Sequence, residues 1–156
     1  MLWGNVGTGK TFLAGCIANA LLEQKIPVLM TSFPKILNVL GGLYSAERNE
    51  YLASLNRYTL LVIDDMDIER DTQYTLETVY TVIDERYKSG RPFIITTNIQ
   101  LDILGNPQDL EHARIYDRIM ERCMPVFFGG KNYRSELGQG NRDTAKKILT
   151  GLNDTV

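Results

Sequence analysis

Histidine occurs once, tryptophan once and cysteine twice in 156 residues. No apolar run approaches the ~20 residues needed to span a bilayer, so a membrane span is excluded and a cytoplasmic location is expected. Cys16 and Cys123 have no metal-ligand spacing, and both fall in predicted helices. They are expected to be buried free thiols, as in a reducing compartment. His112, on a polar helical turn, is expected at the surface. An excess of one charge is also missing: 17 Lys and Arg against 19 Asp and Glu leave a net charge of −2. Bulk electrostatics therefore do not advertise nucleic-acid binding, and any DNA contact must come from a local patch. Repeats and low-complexity tracts are absent. What remains is ordinary globular composition, 44% hydrophobic and 23% charged, at a length suited to one domain with a three-layer core.

Apolar patterning alternates between two periods. Met1-Leu2-Trp3, Pro27 to Ser32, Thr59 to Ile63, Pro92 to Asn98 and Met124 to Phe128 read as short strands. Thr59-Leu60-Leu61-Val62-Ile63 is continuous and apolar, as in a parallel strand buried on both faces. Helices are predicted from Lys10 to Glu23 with a stripe at Leu13, Ile17 and Ala20/Leu21, from Ser32-Phe33-Pro34 to Gly41-Gly42, and from Ala46 to Leu55. Asp71 is predicted to cap a long helix carrying Leu76, Val79/Tyr80, Ile83 and Tyr87, with Gly90 as its stop. Tyr74, Tyr80, Tyr87 and Tyr116 fall at helical core spacing. Asp109 starts another helix, and Arg142 to Leu152 forms a last one. Strand and helix alternate about five times, the pattern of a parallel sheet with helices on both faces. Ligands in such sheets lie at the carboxyl ends of the strands.

Three motifs meet at that edge. Gly4-Asn5-Val6-Gly7-Thr8-Gly9-Lys10-Thr11 has the form G-x-x-x-x-G-K-T between a strand and a helix. Its glycines let the backbone curl around phosphate, and the helix N-terminus favours an anion. Lys10 is placed to reach the β- and γ-phosphates, and Thr11 to bind Mg²⁺. Phe12 continues the loop into the helix. Asp64 ends a buried strand, where a carboxylate can hold the same Mg²⁺ as Thr11, and Asp65 is free to polarise a water. Asn98 ends the next buried strand. Such an Asn alone is often a turn former, but in this order it reads as a sensor of the γ-phosphate or attacking water. Arg114, Arg118 and Arg122, at i, i+4 and i+8, form a row. That row is either a helix face paired with Asp117 and Glu121 or an arginine finger for a neighbouring subunit's nucleotide. Asp67, Glu69 and Asp71 read as a solvated acidic loop. Lys35, Arg48 and Arg57 are three scattered cations near the second and third strands. An Asn-Lys-x-Asp guanine-reading motif is absent.

These motifs resemble the AAA+ ATPases of the DnaC/DnaI helicase-loader and IstB transposition-accessory group. The resemblance covers nearly the whole chain. It rests on Leu2 to Ala14, Leu60 to Asp65, Val82 to Tyr87, Thr96-Thr97-Asn98, Arg114 to Ile119 and Tyr133-Arg134. It implies a three-layer P-loop ATPase with a five-stranded parallel sheet of order 5-1-4-3-2, acting on ATP and Mg²⁺ in an oligomer. Asn98 matches the family's first sensor. Arg122 best matches the arginine finger, with Arg118 competing. An insert at about Phe33 to Arg57 would touch single-stranded DNA, and a replicative helicase or a transposase would be the partner. Only three residues precede Gly4, so an N-terminal partner-binding region is expected to be missing from this ATP-binding domain, residues 1–156. The chain departs from the pattern at Asp67, where the family usually has Gly, and at Asp65, where many other AAA+ proteins have Glu. No helical lid of ordinary size follows the last strand; Arg134 is the candidate second sensor. A small-molecule P-loop kinase is the competing class, which predicts an acceptor pocket and an Arg-rich lid.

Overall fold

The computed structural model describes residues 1–67, 72–107 and 109–151. Its elements run β1 (Leu2–Gly4), α1 (Lys10–Glu23), β2 (Val28–Thr31), α2 (Phe33–Gly41), α3 (Ser45–Leu55) and β3 (Leu60–Ile63). They continue with α4 (Gln73–Lys88), β4 (Phe93–Thr97), α5 (Leu101–Gly105), α6 (Leu110–Arg122), β5 (Val126–Phe128) and α7 (Tyr133–Gly151). The strands form one parallel sheet in the order β2-β3-β4-β1-β5, the expected 5-1-4-3-2.

Every residue of β3 is buried, because alternate side chains enter two different cores. Leu61 and Ile63 join Ile36, Leu40, Val79, Ile83, Ile95 and Ile115 in the larger core, beneath α2, α4 and α6. Leu60 and Val62 join Leu2 and Ala14 on the opposite face, with Ile17 and Leu21 of α1 packed against them. Of the expected stripe, Ile17 and Leu21 thus face the core beside the buried Ala14 and Ala18, whereas Leu13 and Ala20 do not. Leu13 is turned toward the cleft above the sheet.

Several other expectations change. Asp71, the anticipated cap of α4, lies outside the described residues, as does Glu69; the Thr72 hydroxyl accepts the Thr75 amide at 3.2 Å instead. Gly90 does end α4, at φ 67°. Tyr74, in the first turn of α4, is exposed. Cys16 is exposed on α1, while Cys123 is buried just past the end of α6. The His112 ring is only 14% exposed, held against Asp109 at 2.8 Å and tilted on Tyr116. The last helix starts at Tyr133, nine residues before Arg142. Gly138 and Gly140 disfavour that extension by about 1 kcal/mol each, but Asn132 caps it by accepting the Ser135 amide at 3.1 Å.

At the amino ends of the strands, Arg86 of α4 is fully buried. Its guanidinium donates to the carbonyls of Tyr58, Thr59 and Pro92 at 2.7–3.2 Å, stapling α4 to the starts of β3 and β4. Burial, with help from Arg91, pulls its pKa down to about 10, so it stays charged at neutral pH. The planar fork of Arg suits three diverging carbonyls. Arg86→Ala, which strips these carbonyls of their buried charged donor and opens a cavity, should lower the unfolding free energy by about 3 kcal/mol or more. Arg86→Lys should recover only part of that. Denaturant unfolding followed by circular dichroism checks both, and an Arg86→Ala midpoint equal to wild type would refute the staple.

Candidate functional site

Because β1, β4 and β3 are adjacent and parallel, their carboxyl ends bring three loops to one place. The loop after β1 is tight. Gly4 has φ 133°, and a Cβ there would lie 2.3 Å from the Phe128 carbonyl oxygen. Gly7 has φ 78°, and a Cβ would strike Asn132 at 2.0 Å; the Tyr133 amide donates to the Gly7 carbonyl at 3.1 Å. The start of α7 is therefore seated directly on the loop, and only glycine permits that approach. Thr8 Oγ1 braces the turn by donating to the Asn5 carbonyl at 2.8 Å.

Lys10 is buried with its ammonium donating to the Gly4 and Asn5 carbonyls and to Asn98 Oδ1, at 2.7–2.8 Å. Burial lowers its pKa, Asp67 and Asp65 push it back up, Arg134 lowers it further and Asp64 opposes that. Thr11 Oγ1 donates to Asp64 Oδ1 at 2.9 Å, and Thr96 Oγ1 donates to the same oxygen at 2.6 Å. The Thr96 hydroxyl also accepts the Asp65 amide at 2.8 Å, which fixes the turn at the end of β3. Asp65 has φ 56°, an uncommon left-handed conformation for a residue with a Cβ, and its carboxylate lines the cleft. Asn98 Nδ2 lies 3.5 Å from Asp65 Oδ1 and donates to Asp67 Oδ2 at 2.7 Å.

Asp67 corrects the reading of a solvated acid. It is half-buried and also accepts from Thr97 Oγ1 and the Asn98 amide, at 3.0 and 3.2 Å. Sequence spacing gave no sign of this, because Asp67 and Asn98 are 31 residues apart and belong to different strand ends. Thr96, which ties the two acidic positions to β4, was legible only as part of the Thr-Thr-Asn run. The cleft is walled by Val6, Phe12, Leu13 and Phe128, and by Tyr133, Arg134 and Leu137 of α7. Phe12 is 77% exposed there, an apolar surface beside the loop.

The arginine row is divided by its partners. Arg118 donates to Asp84 Oδ1 at 2.8 Å and to the Tyr80 hydroxyl at 3.0 Å, and it stacks over the Tyr80 ring at 4.8 Å. Lys88 and Arg118 hold the Asp84 carboxyl below its ordinary pKa. Arg118 is thus committed to the α4–α6 contact. Arg122 is exposed and lies 5.8 Å over the Tyr87 ring; Arg114 is also exposed. Glu121 accepts from the Tyr87 hydroxyl, so the carboxylate that Arg118 engages comes from α4. No described helix is long and apolar enough to cross a membrane.

Residues 1–139 match the family of IstB-like ATP binding proteins. The chain belongs to that family. DnaI of Bacillus subtilis (strain 168), a replicative helicase loader, is 27% identical over 144 residues, 85% of this chain and 46% of that protein. DnaC of Escherichia coli (strain K12), also a replicative helicase loader, is 28% identical over 138 residues, 86% of this chain and 55% of that protein. The chain thus spans about half the length of these curated relatives. A crystal structure of the DnaC helicase loader superposes with a TM-score of 0.71 at 23% identity, covering 82% of this chain and 76% of that one. The fold is accordingly that of a P-loop AAA+ domain, and among the described residues one helix, α7, follows the last strand.

In this member of an ATP-binding family, Lys10→Ala removes the ammonium that lies against the loop after β1. ATP binding, measured by calorimetry, should fall below detection while the far-ultraviolet dichroism stays native. Retained affinity would show that nucleotide does not bind through Lys10.

Proposed function

We propose that this chain is the ATP-hydrolysing domain of a DNA replication protein that acts on a replicative helicase and single-stranded DNA in the cytoplasm. The observation that carries this reading is the junction of Lys10, Asn98, Thr11 and Asp64 across the ends of three strands, joined by bonds of 2.8–2.9 Å. Membership of an ATP-binding family and similarity to two helicase loaders support it.

The residues suit MgATP. The loop from Gly4 to Thr11, with Phe12 beside it, would cradle the triphosphate, and Lys10 would exchange its carbonyl partners for phosphate oxygens. Thr11 and Asp64 offer two oxygens 2.9 Å apart. A Mg²⁺ held there would take its remaining ligands from water and phosphate, as this ion commonly does. Bound Mg²⁺ supplies charge neutralisation for phosphoryl transfer. Asp65, on the open side of the turn, would accept the proton of the attacking water or orient it, and Asn98 would fix that water against the γ-phosphate.

Self-association completes the proposal. Arg122, exposed on α6, would act as the arginine finger on a neighbouring subunit's nucleotide, while Arg118 holds α6 to α4 behind it. DNA would meet α2 and α3, where Lys35 and Arg57 are exposed.

Asp65→Asn should leave MgATP affinity intact and lower kcat by about a hundredfold or more, measured as phosphate release. Equal loss of binding would reassign Asp65. Arg122→Ala should slow turnover only in assembled protein, and mixing it with Lys10→Ala subunits should restore some interfaces. No recovery in the mixture would argue against a finger in trans. Turnover of the full-length protein, with and without single-stranded DNA and the cognate helicase, tests the proposal as a whole. Stimulation by a transposase instead of the helicase would transfer the ATPase to transposition.

A further inference from the structure

Asn98 stands between two groups of opposite hydrogen-bonding character. On one side the Lys10 ammonium, which can only donate, reaches Oδ1 at 2.8 Å. On the other the Asp67 carboxylate, which can only accept when ionised, takes Nδ2–H at 2.7 Å. An amide bridging a donor and an acceptor has one permitted orientation, because the flipped amide would oppose N–H to ammonium and oxygen to carboxylate. The remaining Asp67 oxygen accepts from the Asn98 amide and from Thr97 Oγ1, and Thr97 Oγ1 in turn accepts the Ile99 amide at 3.0 Å. Thr97 is fully buried at the end of β4. One carboxylate thereby holds both the backbone and the side chain of Asn98 against the loop after β3.

We propose that Asp67 is a positioning residue for ATP hydrolysis, acting through Asn98 by fixing the orientation of its amide. This rests on the ATPase reading above. When a polyphosphate draws the Lys10 ammonium away, Asn98 loses the partner that holds its oxygen. The bond to Asp67 remains and keeps Oδ1 turned toward the space in front of Lys10, where the attacking water must lie. The second hydrogen of Nδ2 faces Asp65, so the same bond also sets Asn98 relative to the proposed base. Asp67 itself need not touch nucleotide. A carboxylate close to a polyphosphate opposes binding electrostatically, so its value to the site lies in orientation and not in affinity.

The test is a double-mutant cycle read as kcat and KM for ATP in the full-length protein, with wild type, Asp67→Ala, Asp67→Asn, Asn98→Ala and the Asp67→Ala/Asn98→Ala pair. Asp67→Ala should lower kcat about tenfold to a hundredfold and leave KM level or lower. Asp67→Asn, which keeps an acceptor oxygen in the same volume, should retain more activity. In the Asn98→Ala background, adding Asp67→Ala should change kcat by less than about twofold. In nitrogen–proton NMR spectra, Asp67→Ala should shift the Asn98 side-chain amide pair. Losses that multiply in the pair, or wild-type turnover in Asp67→Ala, would overturn the assignment to Asp67 alone. A wild-type protein that binds MgATP without turning it over under any assembly condition would overturn the hydrolysis reading and this one with it. Unchanged Asn98 amide signals in Asp67→Ala would overturn the orienting contact whatever the activity.

Discussion

A parallel sheet obliges neighbouring strands to end on the same side, and that constraint builds the candidate site of this molecule. β1, β4 and β3 lie side by side, so the turns that follow them share one edge. Hydrogen bonds then lock the turns together: Lys10 to Asn98, Thr11 to Asp64, and Thr96 to both acidic positions. Each strand is only three to five residues long. The short strands can hold such exact relative positions because β1, β3 and β4 are each paired on both sides.

The two ends of the sheet are secured differently. At the amino ends, Arg86 donates to three carbonyls from inside the core, a polar staple that fixes α4 on β3 and β4. At the carboxyl ends, Asp67 makes a comparable set of bonds to Thr97 and Asn98, but beside the residues of the proposed nucleotide site. Arg86 is fully buried and Asp67 half-buried, and in both places the desolvation of the charge is offset by several hydrogen bonds. The staple confers rigidity where nothing need move. The contacts of Lys10 are of another kind, since the ammonium can exchange carbonyl oxygens for phosphate oxygens without unfolding any element.

The α4–α6 contact bears on assembly. Arg118 lies between Asp84 and the rings of Tyr80 and Tyr87 and ties α6 to α4. That tie sets where Arg122 stands one turn further on, which is what the proposed composite site between subunits would require. The seat of α7 on Gly7 closes the other side of the cleft and brings Arg134 close enough to lower the Lys10 pKa.

The sequence by itself determined the fold class and the glycine-rich turn after β1, because these depend on local signals; the strand order came through the family that the motifs resemble. Continuous apolar runs mark buried strands, glycines at fixed offsets mark a phosphate loop, and Asp64 and Asn98 each follow their strand directly. Contacts between distant segments left no such signal. Asp67 looked like a solvated acid, the partner of Arg118 on α4 was not apparent, and Cys16 looked as buried as Cys123. Only the tertiary structure decided these, since a carboxylate's neighbours across 31 residues, or an arginine's partner on another helix, are set by packing and not by spacing. The early start of α7 belongs with them: two glycines argued locally against a helix, and a cap at Asn132 seated against Gly7 outweighed them.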